Sequence, residues 1–255
     1  MKSLETKLRA VRSQNRKALV PYFMAGLTSD WVQHVEAAVH AGADAVEIGI
    51  PFSDPIMDGV VIQEAAIRSL GNGTTLDSIC ADLEKSSIDV PLITMTYFNI
   101  FHHYGLERSI GKLIQSGIEG AIVPDLSLEE SGPWHEISNQ HGLANIFLVA
   151  PSTSPERAKL LAQASEGFCY ASARMAVTGK ASEEADASRV VSGIRAGSDI
   201  PTYVGIGIST PEQAKAAAMA ADGVIVGSAL VQLILDGAGP AKIEEFISSF
   251  RQAID

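Results

Sequence analysis

The sequence predicts an α/β fold: a single (β/α)8 TIM barrel over residues 1–255, with an extra N-terminal helix ahead of the first strand. Three observations predict it. Short apolar runs begin near residues 18, 43, 91, 119, 144, 167, 201 and 222, and helical patterns separate them. The runs are continuous rather than alternating, which suits parallel strands buried on both faces. The chain of 255 residues is also close to the size at which eight βα units close on themselves. An open doubly wound sheet is the alternative for the same alternation of elements.

The elements follow in order. MKSLETKLRA opens a charged amphipathic helix, about Ser3 to Ser13, with no apolar leader core. No later run approaches membrane-spanning length, so the cytoplasm is the expected location. The first strand is the run from Ala18 to Phe23, ended by Met24-Ala25-Gly26. A helix pattern then runs from Ser29-Asp30 to Ala41-Gly42, with Val32, Val35, Ala38 and Val39 on one face and Gly42 placed to stop it. Small-residue turns lead into apolar runs at AGADAVEIG, SGIEGAIVPD, SEGFCYAS and MAADGVIVGS. Pro91–Met95, Ala144–Val149 and Pro201–Val204 supply the others. Helix starts support the phasing: Ser127-Leu128-Glu129-Glu130 reads as a capping box, Ser154-Pro155 puts proline at the first helical position, and Thr210-Pro211-Glu212-Gln213 does both. No Gly/Ser linker or change of composition divides the chain, so one domain is expected.

Composition narrows the function. Thirty acids against 19 bases give a net charge of -11, which argues against general nucleic-acid binding and against an anionic membrane surface. A small anionic substrate remains compatible, because backbone amides bind phosphate locally. Cys80 and Cys169 are far apart and read as reduced, buried residues. The six histidines show no zinc-binding spacing, so no metal site is expected.

The chemistry concentrates in Ala43–Gln63, ADAVEIGIPFSDPIMDGVVIQ. Glu47 lies near a strand end, and a turn with Pro51, Ser53, Asp54, Pro55, Asp58 and Gly59 follows at once. Glu47 and Asp58, on either side of one rigid turn, are suited to general acid and base work if their surroundings push their pKa values apart. Barrel active sites form at the C-terminal ends of strands. That rule adds Tyr22, Tyr97, Asn99, Asp125, Tyr170 and Ser172. It also adds Gly205, Gly207, Gly227 and Ser228 after the last two strands, where such barrels commonly hold a phosphate on backbone N–H groups. Each reading has an alternative. Glu47 could pair with a base such as Arg174, Asp58 could belong to an ordinary Asp-Gly turn, and Asp125 could cap a helix. To this point the residues indicate a barrel enzyme acting on a phosphorylated small molecule.

A resemblance extends the reading. Glu47-Ile48-Gly49-Ile50-Pro51-Phe52-Ser53-Asp54-Pro55, followed by Asp58-Gly59 and Ile62-Gln63, resembles the signature of the tryptophan synthase α subunit family. The likeness continues through Tyr97-Phe98-Asn99, Val123-Pro124-Asp125-Leu126, Val177-Thr178-Gly179, Gly205-Ile206-Gly207-Ile208-Ser209 and Gly227-Ser228, in order and over nearly the whole chain.

The resemblance implies retro-aldol cleavage of indole-3-glycerol phosphate to indole and glyceraldehyde 3-phosphate. Glu47 and Asp58 would be the catalytic pair, and Tyr22, Tyr97, Tyr170 and Thr178 would line the substrate site. Gly179, Gly207, Gly227 and Ser228 would bind the phosphate, under a mobile loop carrying Thr178. Asp54 and Asn99 would meet a β subunit in an α2β2 complex. Pyridoxal phosphate is expected only in that partner, with no cofactor in this chain. A stand-alone lyase, or a silent barrel that activates a β partner, would share these features. The chain departs from the family pattern at Met57, Val60, Ser127, Ala176 and Ile206, which bears on lid motion and partner communication rather than on the two acids. The aromatic stretch Tyr97–Tyr104, YFNIFHHY, fits either a contact surface or packing over the barrel rim.

Overall fold

The computed structural model describes residues 2–172, 181–205 and 207–255, with side chains described for all of these except 181–186. Nine strand segments appear among them: β1 (Ala18–Met24), β2 (Val46–Gly49), β3 (Leu92–Met95), β4 (Ile118–Ile122), β5 (Ala144–Ile146), β6 (Leu148–Val149), β7 (Cys169–Ser172), β8 (Thr202–Gly205) and β9 (Gly223–Val226). All the pairings are parallel. The spatial order is β5-β4-β3-β2-β1-β9-β8-β7-β6.

The two ends of that order, β5 and β6, are halves of one apolar run interrupted at Phe147 alone. The sheet therefore closes through a single strand, and the barrel has the eight staves the sequence predicts, the fifth one broken. Phe147 still bridges the gap: its carbonyl accepts the Tyr170 N–H at 3.0 Å, and its own N–H donates to Ser165 Oγ at 3.2 Å.

Helices α1 (Ser3–Ser13) and α2 (Trp31–His40) match the sequence reading. The connection after β2 carries α3 (Val60–Gly71) and α4 (Leu76–Leu83), and that after β3 carries α5 (Phe98–Tyr104) and α6 (Leu106–Gln115). Single helices α7 (Gly132–His141), α8 (Pro155–Ala164), α9 (Ala181–Arg195) and α10 (Pro211–Ala220) follow in turn, and α11 (Ser228–Leu235) and α12 (Pro240–Ile254) end the chain.

Two of the three expected helix caps form. Ser154 Oγ accepts the Arg157 N–H at 3.2 Å, and Thr210 and Gln213 make a reciprocal capping box. Ser127 does not start a helix. It closes a turn with Glu130, and α7 begins five residues later behind Ser131. Pro133 explains the delay. A helix begun at Leu128 would need the Pro133 nitrogen to donate to the Glu129 carbonyl, and proline has no N–H.

The core has two layers. An outer layer lies between sheet and helices, and an inner one fills the barrel with strand residues such as Val20, Ile93 and Ile225. Its lower half is closed by α1, whose Leu4 and Leu8 join the inner layer. Leu4 sits so close to Gly120 and Gly167 that a Cβ at either would lie 2.7 Å from Leu4 Cδ2. Bases on and near α1 pair with acids around the strand starts: Lys2 with Glu166 at 2.7 Å, Arg9 with Asp199 at 3.1 Å, Arg16 with Asp44 at 3.1 Å. With that end sealed, the accessible end of the barrel is the one at the strand C-termini. No helix among the described residues is long and apolar enough to cross a membrane.

Candidate active site

β1 and β2 lie in register with Tyr22 opposite Glu47. Their proximity is fixed by a glycine: a Cβ at Gly49 would meet the Tyr22 hydroxyl at 2.0 Å, so the ring of Tyr22 lies over the strand that carries Glu47. Gly205 on β8 does the same for Tyr170 on β7, with 2.1 Å to the hydroxyl. Gly205 thus seats a tyrosine. The isolated glycines in strands are the sequence signal for such close approach, but nothing local says which side chain arrives.

The Glu47 carboxyl is buried, with 1% of the residue exposed, and Oε2 has no hydrogen-bond partner among the described residues. Burial first, and the charge of Asp58 second, push its pKa up to about 8. Asp58, in the β2–α3 loop, is half-buried and also raised by burial, with the Tyr97 hydroxyl pulling the other way. The Tyr22 hydroxyl is raised far above its ordinary value by burial and then by Asp58 and Glu47, and that of Tyr170 by burial and Glu47. Tyr22, Glu47, Asp58, Tyr97 and Tyr170 therefore share one electrostatic environment. Arg174, the alternative partner for Glu47, lies outside the described residues.

The loop bearing Asp58 is tied down by residues the sequence reading did not single out for this role. Phe52 packs against the Tyr97 ring at 5.2 Å, the Met57 N–H donates to the Tyr97 hydroxyl at 2.9 Å, and Gln63 Nε2 donates to the Asp58 carbonyl at 2.8 Å. Asp125 takes the alternative role foreseen for it: Oδ1 accepts the N–H of Phe98, the first residue of α5, at 2.9 Å. On α5 the aromatic stretch divides. Phe101 stacks on Trp134 at 4.7 Å and Phe98 meets the same ring edge-on, while Asn99, His102 and His103 face solvent. Packing over the rim accounts for the aromatic residues, and the exposed face is polar. Asp54 is exposed too, with Ser53 Oγ donating to its Oδ2 at 2.5 Å.

Gly227 and Ser228 form the amino end of α11, where Gly227 is the N-cap and no side chain occupies the capping position. The first N–H groups of a helix have no partner within it, and they carry its partial positive charge. Gly227 lies beside Tyr22, at 3.6 Å from a notional Cβ to the tyrosine Cβ. This amino end therefore lies against Tyr22, the residue opposite Glu47 on β1. Gly207 is exposed with φ +79°, a left-handed conformation that favours glycine. Thr178, Gly179, Ala176 and Ile206 lie outside the described residues. No three His, Cys, Asp or Glu side chains among the described residues converge on a point that could hold a metal ion.

The geometry is that of a buried glutamate and a half-buried aspartate among three tyrosines, with the amino end of a helix beside one of them. The family model described as tryptophan synthase alpha chain matches residues 8–252. The chain belongs to the tryptophan synthase alpha chain family. The alpha chain of Streptomyces coelicolor is 41% identical over 238 residues, covering 91% of this chain and 88% of its own. That of Halorhodospira halophila is 39% identical over 265 residues, covering 100% and 97%.

Solved structures agree on the fold. Tryptophan synthase from Mycobacterium tuberculosis superposes with a TM-score of 0.90 at 37% identity, over 99% of this chain and 98% of that one. Tryptophan synthase subunit alpha from Legionella pneumophila gives 0.89 at 33% identity, with 100% and 99% coverage. Membership of the alpha chain family accounts for the order of the motifs along the barrel.

Proposed function

We propose that this chain, acting as one domain in the cytoplasm, catalyses the alpha reaction of tryptophan synthase. In that reaction indole-3-glycerol phosphate is cleaved to indole and D-glyceraldehyde 3-phosphate, and the indole passes to a β subunit. One observation carries the reading: a buried glutamate, Glu47, with a pKa of about 8 and an unpartnered oxygen, close enough to Asp58 to feel its charge.

The reaction requires this pairing. Breaking the bond between ring C3 and the glycerol chain demands that C3 first be protonated, which turns the indole into a non-aromatic indolenine cation. A carboxyl with a pKa of about 8 is still protonated at neutral pH and can donate that proton. Asp58, as the carboxylate, accepts the ring N–H and stabilises the positive charge that develops there. Glu47, now ionised, takes the proton of the adjacent hydroxyl as the C–C bond breaks. Its electrons restore the aromatic ring, the carbinol carbon becomes the aldehyde, and Glu47 returns to its starting state.

Tyr22 and Tyr170 supply apolar walls that keep water from the cation, and Tyr97 and Thr178 complete the substrate site. The phosphate would rest on the N–H groups of Gly179, Gly207, Gly227 and Ser228. Nothing in this scheme calls for a cofactor in this chain; pyridoxal phosphate belongs to the partner. Asp54 and Asn99, both exposed, are the residues assigned to the partner contact.

The test is Glu47→Gln, which keeps the shape and removes the proton. Indole release should fall by about 10²–10⁴-fold, the usual contribution of a general acid or base. Circular dichroism and β-subunit binding should be unchanged. Turnover surviving in this variant would rule the role out.

A further inference from the structure

Asp58 has to hold one orientation toward the ring nitrogen, yet it sits in the loop between Gly49 at the end of β2 and Val60 at the start of α3, where Gln63 of α3 holds its backbone carbonyl but not its carboxyl. Tyr97 supplies a restraint from the next strand. It is buried, with 4% exposed, and its ring lies against Phe52 from the beginning of the same loop. Its hydroxyl accepts the N–H of Met57, the residue immediately before Asp58, at 2.9 Å, and this hydroxyl favours the ionised form of the Asp58 carboxyl.

Holding Met57 leaves the hydroxyl able to act on Asp58 as well. A phenol has one proton and acceptor lone pairs, so accepting from the Met57 N–H leaves its own proton for the carboxylate. Tyr97 is in turn held in place. The preceding Thr96 Oγ1 donates to the Ile50 carbonyl at 3.0 Å, and the following Phe98 N–H is bound by Asp125 at 2.9 Å.

We infer that Tyr97 is a positioning residue, whose hydroxyl grips the loop backbone at Met57 while donating to the Asp58 carboxylate, so fixing that carboxylate for the ring N–H. The role rests on the lyase reading above and refines it: Tyr97 acts on Asp58 instead of merely lining the cavity. Among the described residues the groups that interact with Asp58 are Tyr22 from β1, Glu47 from β2 and Tyr97 just after β3, and of these only Tyr97 lowers its pKa.

Tyr97→Phe isolates the hydroxyl, since the ring remains against Phe52. A hydrogen bond to a charged group corresponds to roughly ten- to a hundredfold in rate. We therefore expect kcat for indole formation to fall by about that factor, with KM changed less than about threefold. The acid limb of kcat/KM should move to higher pH, because Asp58 then lacks the bond that favours its ionised form. In the substrate-free protein, the carboxyl carbon of Asp58, labelled with ¹³C and assigned with Asp58→Asn, should titrate at higher pH in the variant. An unmoved Asp58 titration, or a kcat equal to wild type, overturns the inference. So does a rate loss accompanied only by a lower melting temperature, which would mark a structural role. Wild-type protein that forms no indole would defeat the lyase reading instead, and the ¹³C titration, read without substrate, would still decide whether Tyr97 holds Asp58.

Discussion

The Glu47 carboxyl has a pKa of about 8 in the fold against an ordinary 4.5, so its burial works against the folded state once the unfolded chain can ionise. Below pH 4.5 both states carry the proton and there is no penalty. Between the two values the folded chain holds a proton that the unfolded chain has released, so stability falls as pH rises; above pH 8 the loss is complete. A shift of this size corresponds to about 5 kcal/mol at most. Glu47→Gln removes the titration, so the variant should gain on wild type steadily from about pH 5 to 8, by a few kcal/mol at the top of the range. Urea unfolding at several pH values measures this, and a gain independent of pH would contradict the burial argument. Both acids could be read from the sequence because carboxylates in an apolar strand and its turn are unusual in composition alone. Gly49 and Gly205 could not be assigned in the same way, because what each accommodates is a ring from a neighbouring strand.

At the scale of elements, α1 illustrates how far periodicity reaches. The amphipathic pattern marks its limits, Ser3–Ser13, but not its destination, because a hydrophobic face does not name the surface that covers it. Its destination is the lower end of the barrel, where Leu4 and Leu8 are fully buried. The ion pairs around it are partly exposed, and each contributes about 1 kcal/mol or less. The leucines therefore dominate. Leu4→Ala should cost about 2–5 kcal/mol in urea unfolding, the range for truncating a buried leucine that leaves a cavity. Loss of the Arg9 ion pairs through Arg9→Ala should cost much less. Equal losses would mean that charge, and not packing, holds the helix in place. Ser127 is the converse case, where a good local capping pattern is overruled by Pro133 six residues on.

For the molecule as a whole, the count of staves was legible because parallel buried strands are continuous apolar runs. The break at Phe147 was not, because an interruption set by pairing to β4 on one side and β7 on the other leaves no mark in an apolar run. The distribution of exposed apolar side chains was equally hidden. Of the seven large hydrophobic residues that are well exposed among the described residues, five (Ile56, Met57, Val60, Ile67 and Leu70) fall in the β2–α3 loop and α3. Ile56 is 77% exposed and Val60 79%. A chain with a net charge of -11 has ample charge with which to cover its surface, so this stretch is where the β subunit is predicted to dock. Asp54 stands in that loop with only Ser53 as a hydrogen-bond partner among the described residues, which leaves its carboxylate available for a donor on the β subunit. Asp54→Ala removes no buried contact, so unfolding free energy should stay within about 0.5 kcal/mol of wild type. Affinity for the β subunit, measured by calorimetric titration, should weaken by about tenfold or more, as expected when a charged hydrogen bond across an interface is lost. Ile56→Ser should weaken it as well, by subtracting apolar area from the same face. If both variants bound the β subunit as wild type does, the partner would have to dock elsewhere, and the exposed loop would need another explanation.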